Sequence, residues 1–131
     1  PRASASSGTD AEKLHDAVDG RLWFYPELPN GWDSAASTAR QWYALDFGRT
    51  VTLGRTELAF FDDGKGFAAP RDVAVEAWRD GRWRAVGKAT PIANGVTSVR
   101  WTAAPAERLR VTMTPTAGKA IRLAEIKAFA N

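Results

Sequence analysis

The chain has 131 residues, of which 44% are hydrophobic and 25% charged, and its formal net charge is +3 at pH 7. This length predicts a single domain, spanning residues 1–131, that is large enough to bury its own hydrophobic core. The absence of cysteine excludes disulfide scaffolds, thiolate metal sites and cysteine nucleophiles, and one histidine leaves little for a catalytic triad. Basic and acidic residues are interspersed, so the positive charge does not indicate nucleic-acid binding. Six tryptophans remain to be explained.

The N-terminal part of the chain carries few structural signals. Its first ten residues, rich in serine, alanine and glycine, predict a loosely ordered entry. Leu14 and Val18 recur at helical spacing, which predicts a short helical segment over residues 11–18. No charged region followed by an apolar run marks a signal peptide, and no apolar run reaches the roughly 18 residues that cross a bilayer. We therefore expect a mature or excised segment, and its single domain as part of a larger multidomain protein.

Beyond residue 40 the hydrophobic pattern has a period of two, which is typical of an antiparallel sheet with one solvated face. Four segments show it, and in each of them hydrophobic or small residues alternate with polar or more exposed ones. The positions predicted to face inward are Tyr43, Leu45 and Phe47; Thr56, Leu58 and Phe60; Val73, Val75 and Ala77; and Leu109, Val111 and Met113.

Turn signals separate these segments. Asp80-Gly81 lies between two of them and favours positive φ, so it predicts a tight hairpin. Short strands with frequent turns and almost no helix predict an all-β sandwich or barrel. Further breaks are predicted at Gly48, Asp63-Gly64, Pro70, Asn94-Gly95, Pro105 and Gly118.

The tryptophans fall into two groups. Trp42, Trp78, Trp83 and Trp101 lie within or beside predicted strands, where we expect them to pack in the core or on a sheet face. The segment of residues 20–34 instead places aromatic residues, Trp32 among them, in a stretch that contains two prolines and an Asn-Gly pair, which argue against a central strand there.

Aromatic residues in loops beside charged side chains suit sugar recognition, because a ring stacks on the apolar face of a pyranose while polar groups bind its hydroxyls. The alternative is a cluster that only packs beneath a long loop. Trp32 is the weakest candidate, since its neighbours suggest that it points inward. A second loop, residues 62–71, adds Phe67 among charged residues. The predicted carbohydrate-binding residues are Trp23, Tyr25, Trp32, Asp33, Asp63, Lys65, Phe67 and Arg71.

The order of several short motifs resembles that of F5/8 type C, or discoidin-like, domains, which include many carbohydrate-binding modules of bacterial secreted glycoside hydrolases. The resemblance covers nearly the whole chain. Its elements are AVDG at residues 17–20, NGWDS at 30–34, W-x-x-LDFG at 42–48, then WRDGRWRAV, RLRVTMT and the closing IRLAEIKAFA.

The resemblance implies a jelly-roll β-sandwich of about eight antiparallel strands, secreted and non-catalytic, with ligand loops at one end. Such a module would bind a polysaccharide or oligosaccharide and direct an attached catalytic domain to it, and we expect a monomer. It also implies a structural Ca²⁺ held by Asp19, Asn30 and Glu125. The alternative is that Asp19 caps a turn and Glu125 pairs with an arginine such as Arg122.

Other functions remain open at this point. A small polysaccharide-active enzyme would need partners for His15 or for the Asp62-Asp63 pair, whose adjacent carboxylates point to opposite sides of an extended chain. Adhesion to proteins or membranes would use exposed aromatics such as Trp23 to Tyr25, and a purely structural accessory domain is a further possibility. Nucleic-acid binding by residues 79–84 is disfavoured, because Trp83 alternates with arginines as on a half-buried strand.

Overall fold

The computed structural model describes residues 2–7, 32–36 and 39–131, and these residues form seven β-strands and no helix, so none that could cross a membrane. The helical segment predicted over residues 11–18 lies outside this part of the chain. The strands are β1 (Arg2–Ala5), β2 (Trp32–Asp33), β3 (Gln41–Phe61), β4 (Asp72–Arg79), β5 (Arg82–Ala89), β6 (Val96–Thr114) and β7 (Arg122–Phe129).

Two long strands connect the layers of the sandwich. β3 and β6 have 21 and 19 residues, and they pair antiparallel along most of their length. Their register shifts between Asp46 and Val51, where Gly48 has a φ of 71°, and shifts again between Leu53 and Arg55. A glycine with positive φ and two register shifts bend the pair, so each strand contributes to both layers. The sequence pattern predicts two separate segments within β3 and one segment within β6, which follows a predicted break at Pro105.

One layer is a five-stranded sheet. β1 pairs with the first half of β3, which pairs with the second half of β6, followed by β4 and β5. The other layer contains β2, β7, the second half of β3 and the first half of β6. All these pairings are antiparallel, and the all-β sandwich class predicted from the sequence is confirmed.

The core lies between the two layers and follows the predicted alternation. Eleven of the twelve positions predicted to face inward are at most 4% exposed, and Phe47 is half-buried. Burying each large aliphatic or aromatic side chain contributes about 1.5–3 kcal/mol, so these positions supply much of the driving force for folding. The hairpin is also confirmed: Asp80 and Gly81 have φ values of 54° and 76° between paired Arg79 and Arg82.

Trp32 belongs to this core, and the prediction that it stacks on a sugar is wrong. Its side chain is fully buried, packs 5.5 Å from the ring of Tyr43, and donates a hydrogen bond from Nε1 to the carbonyl oxygen of Ser7 at 2.8 Å. Both faces of the indole are covered by protein, so the ring offers no surface to a ligand.

The strand tryptophans occupy the opposite kind of position. Trp42, Trp78 and Trp83 are half-buried and alternate with inward-facing residues, which places them on the outer face of the five-stranded sheet. Trp101 is also half-buried and packs against the core cluster. The expectation of core or sheet-face packing is thus confirmed.

Candidate functional site

Loops from distant parts of the sequence meet at one end of the sandwich, which we call the loop end. β3 and β6 finish here, β4 and β7 begin here, and β2 joins β7 through the pairing of Asp33 with Arg122. The loop end, as used below, consists of residues 33–36, 61–71, 90–96 and 115–122.

Arg122 is at the centre of the loop end. Its Nε donates to Asp33 Oδ1 at 2.6 Å and its Nη2 donates to Asp33 Oδ2 at 2.9 Å, a bidentate ion pair. The guanidinium carbon lies 4.2 Å from the ring centroid of Phe67 and 5.5 Å from that of Phe61. A planar guanidinium group can form a bidentate ion pair with a carboxylate and also stack on aromatic rings. Arg122 therefore orients the side chains of Asp33, Phe61 and Phe67. We call these four residues the arginine cluster.

The loop that carries Phe67 is held in shape by its own aspartates. Asp63 Oδ1 accepts hydrogen bonds from the backbone N–H groups of Phe67 and Lys65, at 3.0 and 2.8 Å, and these bonds lower the pKa of Asp63. Asp62 Oδ1 accepts from the N–H of Gly64 at 2.8 Å. Asp63 is therefore engaged in the turn, and its lowered pKa makes it a poor general acid.

Two neighbouring segments brace this loop from either side. The side-chain amide of Asn94 donates to the carbonyl of Asp62 and accepts from its N–H, both at 2.9 Å. On the other side, the N–H of Ala120 donates to the carbonyl of Gly66 at 2.9 Å, and Lys119 Nζ donates to the carbonyl of Lys65. A loop fixed this way presents its side chains without a large ordering cost on binding.

The loop end brings several predicted site residues together and separates one. Asp33 and Phe67 both contact Arg122, while Asp63 and Lys65 lie in the same loop as Phe67. Lys65 is exposed. Arg71 is also exposed, but its N–H donates to the carbonyl of Thr114 at 2.7 Å, and it does not contact the arginine cluster.

Other predicted residues cannot be placed, and one organising residue was missed. Trp23, Tyr25, Asp19 and Asn30 lie outside the described residues, as does His15. The sequence offers Arg122 only as a possible partner of Glu125, and it instead binds Asp33. Nothing in the local sequence indicates that pairing, because it depends on the register of β2 on β7.

Glu125 is the predicted calcium ligand that can be described. It lies on β7 opposite Ala59 and is only 5% exposed. Burial raises the pKa of Tyr43, and the negative charge of Glu125 raises it further. A buried carboxylate is the hard oxygen donor that Ca²⁺ prefers. Within the described part of the chain, however, no three acidic, histidine or cysteine side chains group together as a metal site.

An antiparallel β-sandwich is the fold class that this architecture defines. Several solved structures have the same fold, and this chain aligns with almost their full length. One is chitosan-binding module 2 of a Paenibacillus sp. IK-5 chitosanase/glucanase in complex with chitotriose, with a TM-score of 0.76, 21% identity, and coverage of 98% of this chain and 95% of that one.

Two modules of Clostridium perfringens are also similar. One, in complex with GalNAc-β-1,3-galactose, has a TM-score of 0.78 and 14% identity over 98% of this chain and 94% of its own. The family 32 module from NanJ, in complex with galactose, has a TM-score of 0.76 and 17% identity over 97% and 91%. No family model and no curated protein matches the sequence. The TM-scores show that these proteins share the fold of this chain, and at identities below 25% the likeness shows the fold alone.

Proposed function

We propose that this chain is a non-catalytic carbohydrate-binding module that holds a glycan at its loop end. The observation that carries the proposal is the arginine cluster, in which Arg122 fixes the half-buried ring of Phe67 beside the carboxylate of Asp33. An oriented ring with hydrogen-bonding groups next to it matches the mixed apolar and hydroxylated surface of a pyranose. Modules of the same fold with bound sugars support this choice of ligand.

The charges at the loop end favour a neutral glycan over a cationic one. Asp33 is already paired with Arg122, and Asp63 is engaged by backbone N–H groups. Lys65 and Arg71 are exposed, and like charges placed together cost free energy. A polymer of protonated amino sugars would therefore bind more weakly here than an uncharged one.

We further propose that the module acts in a secreted protein, as a monomer, and directs an attached glycoside hydrolase to its polysaccharide. The shared fold with modules taken from hydrolases supports this setting. The chemistry of the loop end supports binding rather than bond cleavage, because the ionised Asp63 stabilises its own loop.

A structural Ca²⁺ remains part of the proposal, with Glu125, Asp19 and Asn30 as its ligands. The buried carboxylate of Glu125 supports it, because an ionised buried group is stabilised by a bound cation. We expect EDTA to lower the melting temperature of the wild-type chain and added Ca²⁺ to restore it. In Glu125→Gln the same additions should have no effect. If neither EDTA nor added Ca²⁺ changes the melting temperature of the wild-type chain, the calcium proposal is contradicted.

Isothermal titration calorimetry with chitotriose, galactose, GalNAc-β-1,3-galactose, xylohexaose and cellohexaose tests the binding proposal. We expect at least one of these glycans to bind, and Phe67→Ala to weaken that binding about tenfold, the loss of one ring contact worth about 1.4 kcal/mol. Phe129→Ala is the matched control, because Phe129 also lies beneath an arginine, Arg55, at 4.0 Å. Equal affinities for the two variants would place the site elsewhere.

A further inference from the structure

A second surface with aromatic and charged side chains lies away from the loop end, on the outer face of the five-stranded sheet. It is an open groove of about 260 Å³. Its lining comes from β1, β3, β5 and β6, and the side chains that matter for the argument are Arg2, Trp42, Asp46, Trp83, Arg108 and Arg110. We call it the sheet groove.

The aromatic part of the sheet groove is held in fixed orientations. Trp83 packs edge-to-face on Trp78, with ring centroids 5.3 Å apart and an angle of 74° between the rings. The guanidinium of Arg110 lies 4.3 Å from the centroid of Trp83, and that of Arg108 lies 5.0 Å from the centroid of Trp78. Half-buried indoles locked by such contacts lose little side-chain entropy when a ligand stacks on them.

Two of the three arginines that line the groove are paired with carboxylates, and Arg2 is the third. Arg108 Nε lies 3.3 Å from Asp46 Oδ2, and Arg110 Nε donates to Glu76 Oε1 at 3.0 Å. Each arginine keeps further N–H groups beyond the one that faces its carboxylate, because a guanidinium carries five. Because two of its three guanidinium charges are already compensated by carboxylates, the groove suits hydroxyl groups better than phosphates or carboxylates.

The two tryptophans that line the groove are far enough apart for a chain of sugars. Trp42 and Trp83 lie on β3 and β5, with β6 and β4 between them. Through the paired residues, Trp83 is level with Asp46, four residues from Trp42. Strand geometry then separates their Cα atoms by about 14 Å across the sheet and about 13 Å along it. A groove of this span fits an internal segment of a polymer rather than one terminal sugar.

We propose that the sheet groove is a second glycan-binding site, which takes an internal segment of a neutral polysaccharide chain. It rests on the proposed function for the class of ligand, and on its own geometry for the length and charge of that ligand. The module would then contact polysaccharide at two places, which raises its effective affinity for a polymer above that for a short sugar.

Calorimetry on the wild-type chain and a set of variants separates the two sites. Cellohexaose, xylohexaose and mannohexaose are titrated into the wild-type chain, Phe67→Ala, Trp83→Ala and the double variant, with the corresponding monosaccharides as short ligands. We expect Phe67→Ala to retain binding of a hexasaccharide that Trp83→Ala weakens about tenfold, the value of one stacking contact. Trp42→Ala should weaken the same hexasaccharide, while monosaccharides are unaffected by either tryptophan variant.

Two controls make the result decisive. Trp101→Ala removes a half-buried tryptophan outside the groove, and the melting temperature of every variant reports whether it is folded. Trp83→Phe keeps an aromatic ring and should recover most of the binding. If Trp83→Ala and Trp42→Ala lower the melting temperature but bind every hexasaccharide like Trp101→Ala, the tryptophans only stabilise the sheet and the proposal is wrong.

Two other outcomes would also contradict the sheet-groove proposal and leave the loop-end proposal intact. One is a groove that binds oligogalacturonate more tightly than any neutral hexasaccharide, which contradicts the argued ligand class. The other is wild-type binding that Phe67→Ala abolishes for every ligand, which leaves one site only. Conversely, hexasaccharide binding that depends on Trp83, together with no effect of Phe67→Ala on any ligand, short or long, would retain the sheet groove and reject the proposed loop-end function.

Discussion

The loop end and the sheet groove present aromatic rings in different ways. At the loop end, the arginine cluster gathers side chains from three strands and a loop, spread from Asp33 to Arg122. In the sheet groove, tryptophans and arginines occupy alternating positions of paired strands. The position of the loop-end side chains is set by contacts between distant parts of the chain, and that of the groove side chains by the alternation along paired strands. Glycan-binding surfaces can thus arise on one small sandwich from long-range contacts or from strand alternation.

Trp32 gives the largest expected effect, because it is a fully buried aromatic residue that belongs to neither surface. Trp32→Ala should lower the free energy of unfolding by about 3–5 kcal/mol, since it leaves a cavity in the core and an unpaired carbonyl at Ser7. Chemical denaturation measures this, with Trp101→Ala as the control for a half-buried indole. If Trp32→Ala unfolds like the control but loses glycan affinity, Trp32 is a ligand contact after all.

Arg122 tests whether the loop end is one unit. Arg122→Met should cost about 2 kcal/mol of stability, because the half-buried carboxylate of Asp33 loses both hydrogen bonds. The same variant should also weaken glycan binding, since Phe67 loses the group that orients it. Arg55→Met is the control: Arg55 pairs with Glu57 at 2.7 Å and lies over Phe129, outside the loop end. Equal glycan affinities for the two variants would separate Arg122 from the site.

Asn94 tests how far the bracing of the loop matters. Its φ of 54° and its two amide bonds to the backbone of Asp62 both favour asparagine. Asn94→Ala should therefore cost about 1–2 kcal/mol in thermal unfolding. Asn94→Gly permits the same φ and removes only the amide, so it isolates the hydrogen bonds. If Asn94→Gly is as stable as the wild type, the two hydrogen bonds between the Asn94 amide and the backbone of Asp62 contribute nothing to stability.

Acidification gives the smallest effect and should act through carboxylates whose pKa falls on folding. Burial raises the pKa of Asp72, but hydrogen bonds from Arg40 and Thr114 outweigh it, and the pKa of Asp63 is also lowered. Their stabilising contribution is present above the unfolded value of about 4 and is lost as pH falls through the folded values. Melting temperatures measured downward from pH 5 should fall less steeply for Asp63→Asn than for Asp80→Asn. Equal slopes would contradict the role of Asp63.

Much of the fold follows from the sequence because local rules decide it. Alternation placed residues such as Leu109 and Val111 in the core, and Asp80-Gly81 formed its hairpin. The joining of two predicted segments into β3 was not predictable, because Gly48 bends the chain without ending the strand pairing. A glycine that ends a strand and a glycine that only bends it cannot be told apart in the sequence.

The candidate site was predictable only in part. Phe67 and Asp33 were identified from composition around turns, and they do lie together. Arg122 was not, because its role depends on β2 pairing with β7 across most of the chain. Trp32 was included with the loop aromatics although its neighbours suggest an inward position, and the structure buries it completely.

The most direct test of the central claim is a ¹⁵N-NMR titration of the wild-type chain with the glycan that binds most tightly in calorimetry. We predict that the largest shifts fall on amides of residues 63–68 and on the side-chain Nε–H of Arg122, with smaller shifts in the indole signals of Trp42 and Trp83 for long chains. Saturable binding that leaves residues 63–68 and Arg122 unmoved would contradict the assignment of the loop end as the glycan site.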